Sequence, residues 1–231
     1  MRRLVLLVLF LAGGALALPI GCAPGTMQDY SALPSGCTVG PFTYKAFLFF
    51  NDVGNDPGNN IASSQINVTP PVPPDYGMDF ASPSFSIGPN QYAIYHISYL
   101  IDPPPDIIDG FDTTMDASSP TGGGKADIFT TLCIGGSFNP SCSTGNVQNL
   151  HVFYYSDPLN IYLSDSLIID PPTNIVHVNH QIVLDTRNDE NAASQITGFR
   201  DTATIVPEPS TAFLTLGGFA LAALAALRKR R

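Results

Sequence analysis

Tryptophan is absent from the 231 residues, and basic side chains are scarce, with ten Lys and Arg in all. Six of the ten crowd the two ends, as Arg2, Arg3, Arg228, Lys229, Arg230 and Arg231. Between Arg3 and Arg228 only Lys45, Lys125, Arg187 and Arg200 face nineteen acidic residues, a net of −15. Such a surface repels phosphate backbones, so nucleic acid is disfavoured as a partner. It favours solubility and attracts cations. Glutamate is also nearly missing, and the middle of the chain lacks helix-forming runs of Ala, Glu, Lys and Leu. What remains there is rich in Pro, Gly, Asn, Ser, Thr and Asp, the composition of short strands joined by tight turns.

Catalytic motifs are missing too. There is no G-x-S-x-G, no H-E-x-x-H and no P-loop; Gly122-Gly123-Gly124-Lys125 lacks both the leading glycine spacing and the following Ser or Thr. His177 and His180 stand three apart in a predicted strand, so they point to opposite faces and cannot easily share a metal. His96 and His151 stand singly, and all four histidines read as exposed or internally satisfied. No pair of carboxylates is singled out for glycoside hydrolysis. The chain is therefore read as a non-enzyme without a cofactor.

Alternation of apolar side chains locates the strands. Phe42, Tyr44, Ala46, Leu48 and Phe50 alternate with Thr43, Lys45, Phe47 and Phe49, and the turn cluster 51–60 ends that run. A short strand is expected around Ile66 and Val68. The clearest runs from Gln91 to Ile101, with Ala93, Tyr95, Ile97, Tyr99 and Ile101 on one face. Others are expected at 106–116, 124–134, 150–156, 161–169, 174–186 and 195–205. This density of short strands predicts one all-β domain over residues 18–205, a β-sandwich or jelly-roll. Its tyrosines and phenylalanines could stack on sugars, but in alternating strands they read first as core.

Four cysteines, Cys22, Cys37, Cys133 and Cys142, allow three disulfide connectivities. Cys22–Cys37 and Cys133–Cys142 are favoured, since each encloses a short Pro/Gly/Ser segment that a loop can close. Neither pair has the C-x-x-C spacing of a zinc site. The one metal hint is acidic: Asp52 and Asp56 in one turn cluster, Asp109 and Asp112 in a second stretch, supply oxygens of the kind Ca²⁺ takes. No EF-hand pattern fits them, and Asx-turn chemistry accounts for most of these residues without a metal.

The ends carry the addresses. Residues 1–17 read as a secretory signal, with Arg2-Arg3, the apolar run Leu4 to Leu11, and Ala15-Leu16-Ala17 as the small-x-small cleavage site. An uncleaved anchor and a lipoprotein signal acylated at Cys22 are the alternatives. Residues 211–227 are apolar and uncharged, and span about 26 Å as a helix, slightly under the ~30 Å hydrocarbon core. The basic cluster 228–231 can snorkel to make up the difference, and it places the C-terminus in the cytoplasm. The domain then lies on the far side, as the signal independently requires.

Val206-Pro207-Glu208-Pro209-Ser210, the apolar helix and Arg228-Lys229-Arg230-Arg231 together resemble the PEP-CTERM sorting tail of Gram-negative bacteria. The resemblance implies recognition and cleavage near Pro207-Glu208-Pro209 by an exosortase, with this chain as the substrate. Two prolines keep that segment extended and accessible just outside the bilayer. Cys22 to Thr26, Asp29-Tyr30, Ser35 to Gly40, Cys133 and Ile196 to Phe199 are similar to stretches of many secreted PEP-CTERM proteins. That likeness supports a β-rich domain and adds no activity. The expectation is an exported protein, transiently anchored in the inner membrane and destined for the cell surface or extracellular matrix. Its role there is structural or interactive, in the envelope or a biofilm with exopolysaccharide; the alternative is a secreted carbohydrate-binding or carbohydrate-active protein.

Overall fold

In the strand Tyr92–Asp102 every second side chain (Ala93, Tyr95, Ile97, Tyr99, Ile101) is wholly buried, and its neighbours are only partly covered. Strict alternation of this kind marks a strand with one face on the core. The computed structural model describes residues 20–72, 74–102, 108–118, 120–138, 141–187 and 189–205. The signal segment 1–17, the apolar segment 211–227 and the tail 206–231 lie outside the described residues.

In chain order the elements are β1 (Ile20–Gly21), β2 (Gly25–Thr26), α1 (Met27–Ser31), β3 (Cys37–Val39), β4 (Phe42–Asn51), β5 (Asn67–Thr69), β6 (Gly77–Ala81), β7 (Ser86–Ile87), β8 (Tyr92–Asp102) and β9 (Ile108–Ser118). They continue as β10 (Lys125–Ile134), β11 (Asn146–Ser156), β12 (Leu159–Tyr162), β13 (Ser164–Thr173), β14 (Val176–Asp185) and β15 (Ser194–Ile205). One sheet has eight strands in the order β1-β3-β4-β8-β14-β10-β11-β12. The other runs β13-β9-β15-β6-β5-β2, with β7 pairing β15. The two pack face to face: Phe80 of β6 stacks on Tyr99 of β8 at 5.7 Å, and Thr113 of β9 meets Thr130 of β10 at 3.1 Å. The all-β expectation holds, with the two sheets of a sandwich. Each fully buried Phe, Ile or Leu in it contributes roughly 1.5–3 kcal/mol of hydrophobic stabilisation.

Two strand expectations need correction. The run 161–169 is two strands in different sheets, since the chain turns at Leu163 from β12 into β13. There the Leu163 carbonyl accepts from Met115 N–H at 2.8 Å. In β4 the alternation breaks at Ala46, whose φ is +57°, and the pairing with β8 shifts register between Lys45 and Leu48. One extra residue in a bulge reverses every later side chain. Phe47 is therefore buried, while Leu48 and Phe50, expected to share the face of Phe42 and Tyr44, are 60% and 53% exposed.

The described helix is short. Thr26 caps α1 with its hydroxyl, Asp29 N–H donating at 3.3 Å, and the Asp29 carboxylate accepts from Thr26 N–H at 2.8 Å. The Thr26 N–H and Thr26 hydroxyl, both donating to its Oδ2, hold the Asp29 carboxyl below the usual range. Disulfides join Cys22 to Cys37 and Cys133 to Cys142.

Candidate functional site, an aromatic face on the eight-stranded sheet

The outward side chains of β4, β8, β14, β10, β11 and β12 fall into rows across the strands, because the antiparallel register sets them side by side. One row reads Phe50, His96, Gln181, Phe129, His151. The next, toward β12, contains Ile94, Val183, Asp127, Phe153 and Tyr162. Beyond it stand Tyr92, Asp185, Lys125, Tyr155 and Asn160. Phe50 stacks on His96 with centroids 4.4 Å apart, and Phe129 stacks on His151 at 4.2 Å. Along β11 the rings continue, His151 to Phe153 at 5.0 Å and Phe153 to Tyr155 at 4.9 Å, with Tyr162 6.0 Å from Phe153. Phe129 and Tyr162 are 39% and 47% exposed.

A nearly buried carboxylate organises these rings. Asp127 Oδ1 accepts from Tyr155 Oη–H at 2.6 Å and lies 2.7 Å from His151 Nε2. Burial, with the neighbouring Asp127 charge, pushes the Tyr155 hydroxyl well above the usual phenol range. Asp165 completes the edge where β12 no longer covers β11: its Oδ2 accepts from His151 N–H at 2.9 Å, and its Oδ1 from Tyr162 Oη–H at 3.2 Å. Proximity to Asp165 raises the Tyr162 hydroxyl. Elsewhere on the face Arg187 lies over the Tyr92 ring at 3.9 Å and is held by Asp185, while Lys125 lies 5.7 Å from the Tyr155 ring centre. Burial keeps the His96 imidazole below its usual value, against the opposing pull of Asp52.

A second polar cluster is sealed between the sheets. His180 Nε2 lies 2.7 Å from Asp201 Oδ2, and Asp201 also accepts from Tyr99 Oη–H and, at 2.9 Å, from Thr113 Oγ1–H. Thr130 Oγ1 lies 2.9 Å from His180 Nδ1. Every member is at most 1% exposed. No substrate reaches such a cluster, and its part is to satisfy a buried carboxylate.

The four aspartates read as weak Ca²⁺ ligands do not converge. Asp52 and Asp56 sit at the end of β4. Asp52 Oδ1 accepts from Gly54 N–H at 2.7 Å, and Asp56 Oδ2 from Tyr92 N–H at 2.6 Å, where it stands in for a strand neighbour of β8. Asp109 and Asp112 lie on β9 in the other sheet, beside a shallow hollow of about 620 Å³ over Gly110. There Asp109 Oδ1 accepts from Thr204 Oγ1–H at 2.9 Å, and partial burial raises the Asp112 carboxyl. Among the described residues no group of three or more His, Cys, Asp or Glu could hold a metal ion. The processing residues Ala15 and Ala17, and the sorting residues Val206, Pro207, Glu208, Pro209, Arg228, Lys229, Arg230 and Arg231, lie outside the described residues. Among those described, no helix is long and apolar enough to cross a membrane.

Strand aromatics form core as expected at Phe42, Tyr44, Phe80, Tyr95, Tyr99, Phe111 and Phe199, and the outward set Phe50, Phe129, Phe153, Tyr155 and Tyr162 is the exception. The available signal was the spacing His151-x-Phe153-x-Tyr155. It was hidden because Leu150, Val152 and Tyr154 make the opposite face of β11 equally apolar.

An all-β domain ahead of a Pro-Glu-Pro tail defines an exported protein with a C-terminal sorting signal. Residues 206–231 match the family described as the PEP-CTERM protein-sorting motif, so the chain carries a PEP-CTERM sorting tail. No curated protein matches it in sequence. Among solved structures it is similar to TmCBM61 in complex with beta-1,4-galactotriose, at 11% identity and a TM-score of 0.30, over 68% of this chain and 88% of that one. It is also similar to the enzymatically active domain of bacteriophage CBA120 tailspike protein 4, at 10% identity and a TM-score of 0.23. That match covers 78% of this chain and 22% of the other. Neither likeness is close enough to carry an argument about this chain.

Proposed function

We propose that this protein is an exported surface or matrix component, processed by an exosortase, whose sandwich binds saccharide on its aromatic face without catalysing a reaction. The observation that carries the reading is the continuous array of Phe129, His151, Phe153, Tyr155 and Tyr162 over Asp127. Rings of this kind present apolar surface with polar tips, which suits the C–H faces and hydroxyls of a sugar. The non-catalytic part of the reading is supported by the histidines. The His180–Asp201 contact is enclosed, and on the exposed side His151 contacts Asp127 with only the poorly acidic Tyr155 hydroxyl bonded to the same oxygen.

The test is co-sedimentation of the protein with matrix polysaccharide, alongside Phe129→Ala and Phe153→Ala variants. Retention of the wild type and loss in both variants is expected, with no reducing ends released. Release of sugar products would overturn the non-catalytic reading, and unchanged retention in the variants would overturn the assignment to this face.

A further inference from the structure

Beside the Phe50–His151 row lies a row of different character. Leu48, Ser98, Asn179, Thr131 and Asn149 stand side by side across β4, β8, β14, β10 and β11. The side chains of Ser98, Asn179, Thr131 and Asn149, and of Gln181 in the aromatic row, make no hydrogen bond to any described residue. Elsewhere on the domain comparable groups are committed: Asn51 and Asn59 bond carbonyls, and Asn55 and Gln65 bond backbone N–H groups. Two carboxamides, two hydroxyls and a third carboxamide thus keep their donors and acceptors free on one track.

The track has a direction and a length. Neighbouring strands are about 4.8 Å apart, so the polar row extends roughly 14 Å from Ser98 to Asn149, and the aromatic row roughly 19 Å from Phe50 to His151. Two residues along a strand separate the rows by about 7 Å. Neither row contains Asp, Glu, Lys or Arg. A polyanion would find no cation on this lane and would approach a domain of strongly negative net charge.

Resting on the saccharide-binding reading above, we infer that the ligand is a neutral, extended polysaccharide lying across the strands, with rings against Phe50 and Phe129 and hydroxyls on Gln181, Asn179, Thr131 and Asn149. A chain-end sugar would use one ring and leave most of the track idle. A hydroxyl-rich chain several units long satisfies the track over its whole length, so affinity grows with chain length. Each amide–hydroxyl bond contributes about 1 kcal/mol net, about fivefold in affinity.

The test uses the full chain purified in a non-glycosidic detergent and immobilised. Probes are gluco-, galacto- and manno-oligosaccharides from disaccharide to hexasaccharide, with uronic-acid oligomers of equal length. For at least one neutral series, affinity is expected to rise tenfold or more with length. Asn179→Ala and Asn149→Ala should each weaken the hexasaccharide about fivefold at unchanged melting temperature, since neither side chain holds the fold. Length-independent binding that Phe129→Ala abolishes, binding indifferent to both Asn substitutions, or preference for the uronic series would overturn this inference and leave saccharide binding standing. Absence of binding to every probe would overturn both.

Discussion

His151 and Asp127 meet across the β10–β11 pair, Nε2 to Oδ1 at 2.7 Å, on a carboxylate whose side chain is only 10% exposed. The same oxygen takes the Tyr155 hydroxyl at 2.6 Å, so one buried charge sets the orientation of two rings on the aromatic face. Hydrogen bonds to a charged group contribute about 1.5–3 kcal/mol each in protected settings. Removing the acceptor leaves its donors to find water at a partly covered site. Asp127→Ala should therefore lower stability by about 2 kcal/mol and loosen both rings. Asp127→Asn keeps an acceptor but removes the charge, so the Tyr155 hydroxyl should ionise at lower pH, though still above an ordinary phenol because burial is the larger cause. Spectrophotometric titration of the tyrosines, with a Tyr155→Phe control to assign the shifting group, reads this directly. An unmoved titration curve would contradict the arrangement.

The buried cluster makes a larger demand. Asp201 is fully enclosed and accepts hydrogen bonds from Tyr99 and Thr113, with His180 Nε2 2.7 Å away. Burial, with the Asp201 charge beside it, drives the Tyr99 hydroxyl far above the phenol range, so Tyr99 stays a donor at every accessible pH. Deleting the carboxylate strands the buried Tyr99 and Thr113 hydroxyls, at about 1–3 kcal/mol each, so Asp201→Ala should cost about 3 kcal/mol. Gly77 supports the same place from the neighbouring strand. A Cβ there would lie 1.7 Å from the Asp201 carbonyl oxygen, so Gly77→Ala forces β6 off β15 and should cost about 3 kcal/mol. Denaturant midpoints of the two variants check both; a cost under about 1 kcal/mol for Asp201→Ala would show that the network is dispensable.

Much of this fold was legible in the chain because alternation reports burial directly. The inward residues of β8 are the ones its period predicts, and β9, β10, β14 and β15 lie within a few residues of their expected ranges. Relationships across strands were not legible. Phe50 meets His96 only because the bulge at Ala46 reverses the later residues of β4, and no pattern in the sequence marks an alanine for positive φ. The split at Leu163 was hidden because residues on both sides of it favour strands. The aspartates near Asn55 looked like ligands because composition cannot distinguish a metal loop from side chains that finish a strand edge. Asn55 Oδ1 accepting from Ile94 N–H at 2.6 Å does the latter.

Stability should also depend on pH in a window set by two histidines. Burial holds the His96 and His177 imidazoles below their usual value. The unfolded chain, titrating near pH ~6.5, therefore takes up protons first. With the folded pKa depressed, the contribution is complete above about pH 6.5 and is lost as pH falls through the folded values. Asp29, Asp185 and Asp189, whose carboxyls are lowered by hydrogen bonds and, at Asp185, by Arg187, keep their contributions until well below that window. Denaturant midpoints should be flat just above neutrality and decline through mild acid. The double variant His96→Gln, His177→Gln should flatten the mild-acid slope while leaving the steeper fall at low pH. A slope unchanged in that variant would assign the acid sensitivity elsewhere.

The tail supplies a prediction independent of what the sandwich binds. Residues 206–231 match the PEP-CTERM sorting motif, and their order of Pro-Glu-Pro, apolar stretch and basic stop suggests a separable task for each part. On the function proposed above, the apolar stretch with the Arg and Lys residues is the bilayer anchor, and the two prolines, which disfavour helix, mark the segment an exosortase would cut. Deleting 206–231 should release the domain into the medium with both disulfides formed, since all four cysteines precede the cut. Replacing Pro207-Glu208-Pro209 with alanines should have a different effect. The anchor remains while helix can extend into the cleavage segment, so the full-length chain should accumulate in the inner membrane and the surface form should disappear. Fractionation with an antibody to the sandwich distinguishes the two. Envelope retention of the deletion, or normal surface delivery of the alanine variant, would contradict the division of labour between the anchor and the Pro-Glu-Pro segment.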